Sequence, residues 1–171
     1  MKVVLVGYMA SGKSTIGKEL ANTLRIDFVD LDKAIAEEAG LSITELFKKK
    51  GELFFRKTEA LVLEKLLHSN KSFVLATGGG TPCYGNNMKI ITENASTSVY
   101  LKLSIPSLLD RISKEKETRP LVAGIANDDL PEFVGKHLFE RSMHYQKADS
   151  IVTCEAKTVN EVVEEIKEVL G

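Results

Sequence analysis

The chain has no tryptophan, two cysteines, three histidines, four prolines and only five arginines. Each scarcity removes a class of explanation. Cys83 and Cys154 lie far apart, with neither metal-ligand spacing nor a disulfide framework around them. His68, His137 and His144 are scattered and read as surface or packing residues, not ligands. Charge of one sign is lacking too. The net charge of -1 gives no electrostatic case for nucleic acid or an anionic membrane as partner. No apolar run approaches the roughly 20 residues of a membrane span. The N-terminal run of about five is too short for a signal-peptide core. Internal repeats and low-complexity linkers are also missing, so residues 1–171 are expected to form a single domain. A cytoplasmic protein with no nucleic-acid or membrane partner is expected.

What is present alternates regularly. Val3 to Val6 is a continuous apolar run, as expected of a parallel strand buried on both faces. A helix is predicted from Lys13, with Ile16, Leu20 and Leu24 on its buried stripe. "IDFVDLD" reads as a second strand, with Asp32 placed to cap a helix over Lys33 to Ala39. Ser42-x-x-Glu45 is a capping box for a short helix that Gly51 closes, and a longer helix runs from about Glu52 to His68. "SFVLAT" and "TSVYLKL" are strands three and four, and a helix with proline in its first turn covers Pro106 to Ser113. Lys114 to Leu130 breaks the pattern. A helix over Pro131 to Lys147, a strand near Ser150 to Thr153 and a helix over Thr158 to Leu170 complete the chain. Strands alternating with helices imply an α/β fold of three layers, with about five parallel strands covered on both faces.

Gly7-x-x-x-x-Gly12-Lys13-Ser14 is a Walker A pattern, and it follows a strand and opens a helix, the context that gives it meaning. Backbone N–H groups of such a loop face phosphates, and glycines permit close approach. Lys13 would neutralise the outer phosphates and the Ser14 hydroxyl would complete a Mg²⁺ shell. The second acid of such a site usually ends a neighbouring strand. Here "SFVLAT" ends in Thr77 and three glycines, so Asp30 and Asp32 are the candidates, projecting from one face of an extended segment.

Arginine is the residue for a planar, two-pronged grip on carboxylate or phosphate. Taken singly, Arg56 in "GELFFRKTE" and Arg141 in "FERSMHYQ" could each be a surface ion pair worth under about 1 kcal/mol. Arg119 precedes Pro120 in the irregular segment, where a closing loop would bring a cation to a transferring phosphoryl group. Gly78-Gly79-Gly80 indicates close approach or a turn with positive φ. Gly7, Asp30 and Gly78 each follow a strand end, so they are expected to share one cleft.

Read in order, "GYMASGKSTIG", "FVDLD", "GELFFRKTE", "ATGGG", "ETRPL" and "RSMHY" resemble the shikimate kinase family over nearly the whole chain. The resemblance implies a P-loop NTPase fold of the nucleoside-monophosphate-kinase kind with a mobile lid at about 113–129. It implies ATP- and Mg²⁺-dependent phosphorylation of the 3-hydroxyl of shikimate, a step of aromatic amino-acid synthesis through chorismate. It places Ala10, Ser11, Gly12, Lys13, Ser14 and Thr15 around the ATP phosphates, with Ser14 and Asp30 at the metal. Asp32 would orient or deprotonate the nucleophile, and Arg56 and Arg141 would clamp the carboxylate. Gly79, flanked by Gly78 and Gly80, would meet a ring hydroxyl through its backbone. Arg119 would reach the phosphates from the lid, with Arg111 and Lys157 on the adenine side. Lys13, Asp32 and Arg119 then form the catalytic set. Ala10 departs from the pattern, standing where many members carry glycine. The composition permits a monomer, which is the expected state.

Two other function classes stay open on the residues alone. A gluconate-type kinase would use the same cradle on another hydroxylated carboxylate. A nucleoside monophosphate acceptor would need base recognition, which a chain with 6% aromatics does not advertise. A non-catalytic nucleotide switch would bind without acceptor dependence, and "NKSF" at 70–73 makes a poor guanine-reading motif.

Overall fold

The computed structural model describes residues 1–171. Five parallel strands form one sheet: β1 (Lys2–Val6), β2 (Asp27–Asp30), β3 (Phe73–Ala76), β4 (Thr97–Lys102) and β5 (Ser150–Thr153), in the order β2-β3-β1-β4-β5. β1 is central, with Val3 opposite Val74 on one side and Thr97 on the other. Val3, Val4, Leu5 and Val6 are wholly buried, as an apolar run under two helical layers should be.

The crossovers are α1 (Lys13–Leu24), α2 (Leu31–Ala39), α3 (Ile43–Lys50), α4 (Glu52–His68), α5 (Asn87–Asn94), α6 (Ile105–Glu115), α7 (Pro120–Ala123) and α8 (Leu130–Tyr145), and α9 (Val159–Leu170) follows the last strand. They flank the sheet, with α1 packed on α9, and α4 on α2 and α5. On α1 the stripe of Ile16, Gly17, Leu20 and Ala21 is buried, and Leu24 packs at its margin. The side on which strands are added switches at β1, with β3 on one edge of it and β4 on the other. That is the switch point at which open α/β sheets form a crevice beyond their carboxyl ends. No helix is long and apolar enough to cross a membrane.

The structure departs from expectation at several boundaries. Asp30, not Asp32, caps α2: its Oδ1 accepts from the Lys33 amide at 3.3 Å. The chain turns helical one residue after the strand because Leu31 is drawn fully into the core. Asp32 therefore lies in the first helical turn, and the two acids do not share one extended face. Helix α6 continues through Glu115, and the segment after it is ordered as a 3₁₀ turn at Lys116–Thr118 followed by α7. Val122 of α7 is fully buried, and Lys116 Nζ donates to Asn127 Oδ1 at 3.1 Å. Helix α5 carries no strong sequence signal, being polar with Met88 and Ile91 as its buried residues.

One polar tie holds the far half of the sheet. Asp149 Oδ2 accepts from the Ser98 amide at 2.7 Å and its hydroxyl at 2.6 Å, joining β4 to the entry of β5. Ser98 is fully buried, so losing this partner strands two donors. Asp149→Ala is expected to lower stability by about 1–3 kcal/mol in urea unfolding; an unchanged midpoint would show that water replaces the carboxylate.

Candidate active site

The loop after β1 is shaped by residues with positive φ: Gly7 at 151°, Ala10 at 63° and Gly12 at 92°. Ala10 is the unusual one, since a Cβ in the left-handed region costs roughly 1–2 kcal/mol. Its carbonyl is held by Arg111 Nη1 at 3.1 Å. The loop curls around the Lys13 ammonium, which donates to the carbonyls of Gly7 at 2.8 Å and Tyr8 at 2.9 Å. Burial pulls the Lys13 amine down to about 7; Asp32 and Asp30 oppose this, and Arg119 and Arg141 add to it. All four charges lie near enough to Lys13 to act on it. Ser14 Oγ donates to Asp30 Oδ2 at 3.3 Å, which unites the two candidate metal ligands.

Gly78, Gly79 and Gly80 have ordinary φ values, so close approach, not backbone conformation, is what requires them. A Cβ on Gly78 would lie 3.4 Å from Asp32 Oδ1, and one on Gly79 3.3 Å from Arg141 Nη1. On Gly80 it would lie 2.7 Å from Arg56 Nη2. Gly80 thus makes room for the Arg56 guanidinium and Gly79 for that of Arg141, whereas the nearest atom to a Gly78 Cβ is Thr81 Oγ1 at 3.1 Å. Burial raises the Asp32 carboxyl above its ordinary value, and the charges of Asp30 and Glu59 raise it further.

Arg56 points one edge inward. Its Nη1 donates to Glu59 Oε1 at 2.9 Å, and Glu59 is buried and accepts from Thr81 Oγ1 at 2.8 Å. Arg56 Nε is buried and makes no hydrogen bond, an uncommon state for a guanidinium donor. Arg141 comes from α8 with two companions on the same stripe. His137, one turn earlier, shares a 2.8 Å hydrogen bond with the Tyr8 hydroxyl. Tyr145, one turn later, donates to the Gly79 carbonyl at 2.6 Å. Burial pushes the Tyr8 phenol up to about 12 and draws His137 down to about 4, so both are neutral near pH 7.

Arg119, between the 3₁₀ turn and α7, is paired with Glu115 at the end of α6, its Nε 3.2 Å from Glu115 Oε2. Arg111 and Lys157 line a cavity of about 390 Å³ with Leu103, Pro106, Asp110 and Cys154, next to the loop. The Lys157 ammonium is paired with Glu165. All the site residues expected from sequence thus fall in or beside one cleft. The sequence marks none of Glu59, Tyr145 and Tyr8, and His137, expected to be a surface or packing residue, instead bonds Tyr8 beside the cleft. Of these only Glu59, three residues after Arg56 on a helix, had a local signal.

The family model described as shikimate kinase matches residues 9–171. A shikimate kinase of Flavobacterium psychrophilum is 44% identical over 169 residues, covering 99% of this chain and 98% of that protein. The crystal structure of shikimate kinase from Bacteroides thetaiotaomicron superposes with TM-score 0.91 at 32% identity, covering 99% and 98% of the two chains. The Acinetobacter baumannii enzyme in complex with shikimate gives TM-score 0.87 at 29% identity, covering 99% of this chain and 92% of that one.

The Gly80 contact yields a direct check. Gly80→Ala is expected to displace the Arg56 guanidinium and lower kcat/KM for the acceptor by about a hundredfold, the order of loss from a small misplacement. KM for ATP should stay within about twofold; a matching loss on the nucleotide side would mean that the whole glycine turn had moved.

Proposed function

Because this chain belongs to the shikimate kinase family, we propose that it transfers the γ-phosphoryl group of ATP to the 3-hydroxyl of shikimate. The observation that carries the acceptor side is the pair of guanidinium groups set against the glycine turn: Arg56, whose Nη1 is held by Glu59 and whose Nη2 makes no hydrogen bond, and Arg141. A carboxylate would accept from Arg56 Nη2 beside Gly80, and Arg141 beside Gly79 supplies the second prong. A hydroxylated carboxylate fits this pair better than a nucleotide does.

On the donor side, the amides of Ala10 to Thr15 and the Lys13 ammonium receive the phosphates. Phosphate contact favours the charged form of Lys13, which burial alone opposes. Ser14 and Asp30 suit Mg²⁺, which takes one hydroxyl and one water-bridged carboxylate besides phosphate oxygens; that donor set needs no cluster of acids. When bound, the ion would neutralise charge on the phosphate oxygens. Arg111 and Lys157 border the cavity assigned to adenine. Asp32 holds the acceptor hydroxyl and takes its proton as the bond to phosphorus forms; a loose transition state asks little of that base. Arg119 stabilises the transferring group once it leaves Glu115. Gly78 and Gly79 offer backbone groups to the ring hydroxyls. The working unit proposed is a monomer. The product is a precursor for aromatic amino-acid synthesis through chorismate.

Phosphorus NMR with Mg²⁺-ATP is expected to show ADP and a new phosphate monoester with shikimate and neither with gluconate. Consumption of ATP with gluconate alone would reassign the acceptor, and turnover without any acceptor would remove the kinase. The raised Asp32 carboxyl sets the pH response. Its proton must leave before it can accept another, so kcat should rise as pH climbs through a midpoint above the ordinary aspartate value of 3.8. Asp32→Asn is expected to lower kcat by about 10²–10⁴-fold and abolish that limb; a limb that persists belongs to another group.

A further inference from the structure

We propose that Tyr84 is a positioning residue for the Arg56 guanidinium, and through it a determinant of selectivity for a carboxylate-bearing acceptor. The inference rests on the acceptor role given to Arg56 above. Tyr84 follows the 3₁₀ turn Thr81–Cys83 in extended conformation, which brings its ring across to α4. The guanidinium carbon of Arg56 lies 3.8 Å from the Tyr84 ring centroid, close enough for face contact, and 5.0 Å from that of Phe55. The Tyr84 hydroxyl donates to Glu52 Oε1 at 3.1 Å, and that same oxygen stands 3.8 Å from Arg56 Nε.

The arrangement divides the work of holding an arginine. Glu59 fixes rotation within the guanidinium plane, through the hydrogen bond to Nη1. Tyr84 fixes the plane itself by covering one face. Arginine has several rotatable bonds, and a guanidinium already held in plane loses less freedom when it meets a carboxylate. Gly80 completes the enclosure, since any Cβ there would occupy the space of Nη2. Tyr84 is 38% exposed, so packing of the hydrophobic core does not explain an aromatic ring at this position. It makes no hydrogen bond to the phosphate loop, so its effect is confined to the acceptor side.

Steady-state kinetics of wild type, Tyr84→Ala, Tyr84→Leu and Tyr84→Phe, with ATP and shikimate varied separately, test this. Tyr84→Ala and Tyr84→Leu should raise KM for shikimate about tenfold, with kcat and KM for ATP within about twofold, in line with a partly desolvated cation–π contact. Tyr84→Phe keeps the ring and should stay within about threefold of wild type. The leucine and phenylalanine variants both keep bulk, so their comparison stands even if the alanine variant fails to fold. The proposal is overturned by an unchanged shikimate KM in Tyr84→Leu, by equal losses in all three parameters, or by a phenylalanine variant as impaired as leucine. A wild-type protein without shikimate-dependent turnover would instead overturn the activity reading, and the acceptor role of the stack with it.

Discussion

The rest of the structure depends on the burial of β1. Val3 to Val6 are enclosed on both faces and hydrogen-bonded on both edges, so the strand has no freedom to slide or twist. Since all five strands are parallel, their carboxyl ends open on the same edge of the sheet. The phosphate loop leaves from β1 there, Asp30 from β2 and the glycine turn from β3. Thr77 ties two of these exits together, its hydroxyl and amide both donating to the Leu5 carbonyl at 2.9 and 3.2 Å. A shift of β1 would move donor and acceptor machinery together.

The cleft brings together charges that would repel or discharge one another elsewhere. Lys13 is buried, which disfavours its charge, and two arginines disfavour it further. Asp32 is pushed toward its protonated form by burial and by two neighbouring acids. Burial and neighbouring charge thus work against the ionised form of both groups. Dipoles and charges fixed before the reaction are what give such a site its effect on rate. Glu59 illustrates the cost and its offset: a buried carboxylate is tolerable because it accepts from both Arg56 and Thr81.

Helix α8 joins the two sides. His137, Arg141 and Tyr145 lie four residues apart on one stripe, meeting the phosphate loop at Tyr8, the space beside Gly79, and the Gly79 carbonyl. This helix also emerges from the segment carrying Arg119, whose buried Val122 seats that segment on the body.

Features with a local cause were legible in the sequence. The Walker A spacing, the Ser42 capping box, the Gly51 helix end and the alternation of apolar runs with helical stripes each depend on residues within a few positions. They were enough to imply an α/β fold and a phosphate site, and the order of motifs was enough to suggest the family. Where local signals compete, reading failed: Asp30 and Asp32 both suit a cap, and burial of Leu31 decided between them. The Thr158–Glu161 capping box obeys the same local rule as that of Ser42. The strand order, the enclosure of Arg56 by Tyr84, Gly80 and Glu59, and the stripe of α8 facing the cleft belong to tertiary structure alone. They arise from contacts between segments tens of residues apart, whose distances follow from how the sheet is ordered and how each helix is rotated upon it, and neither quantity is written in any short stretch of chain.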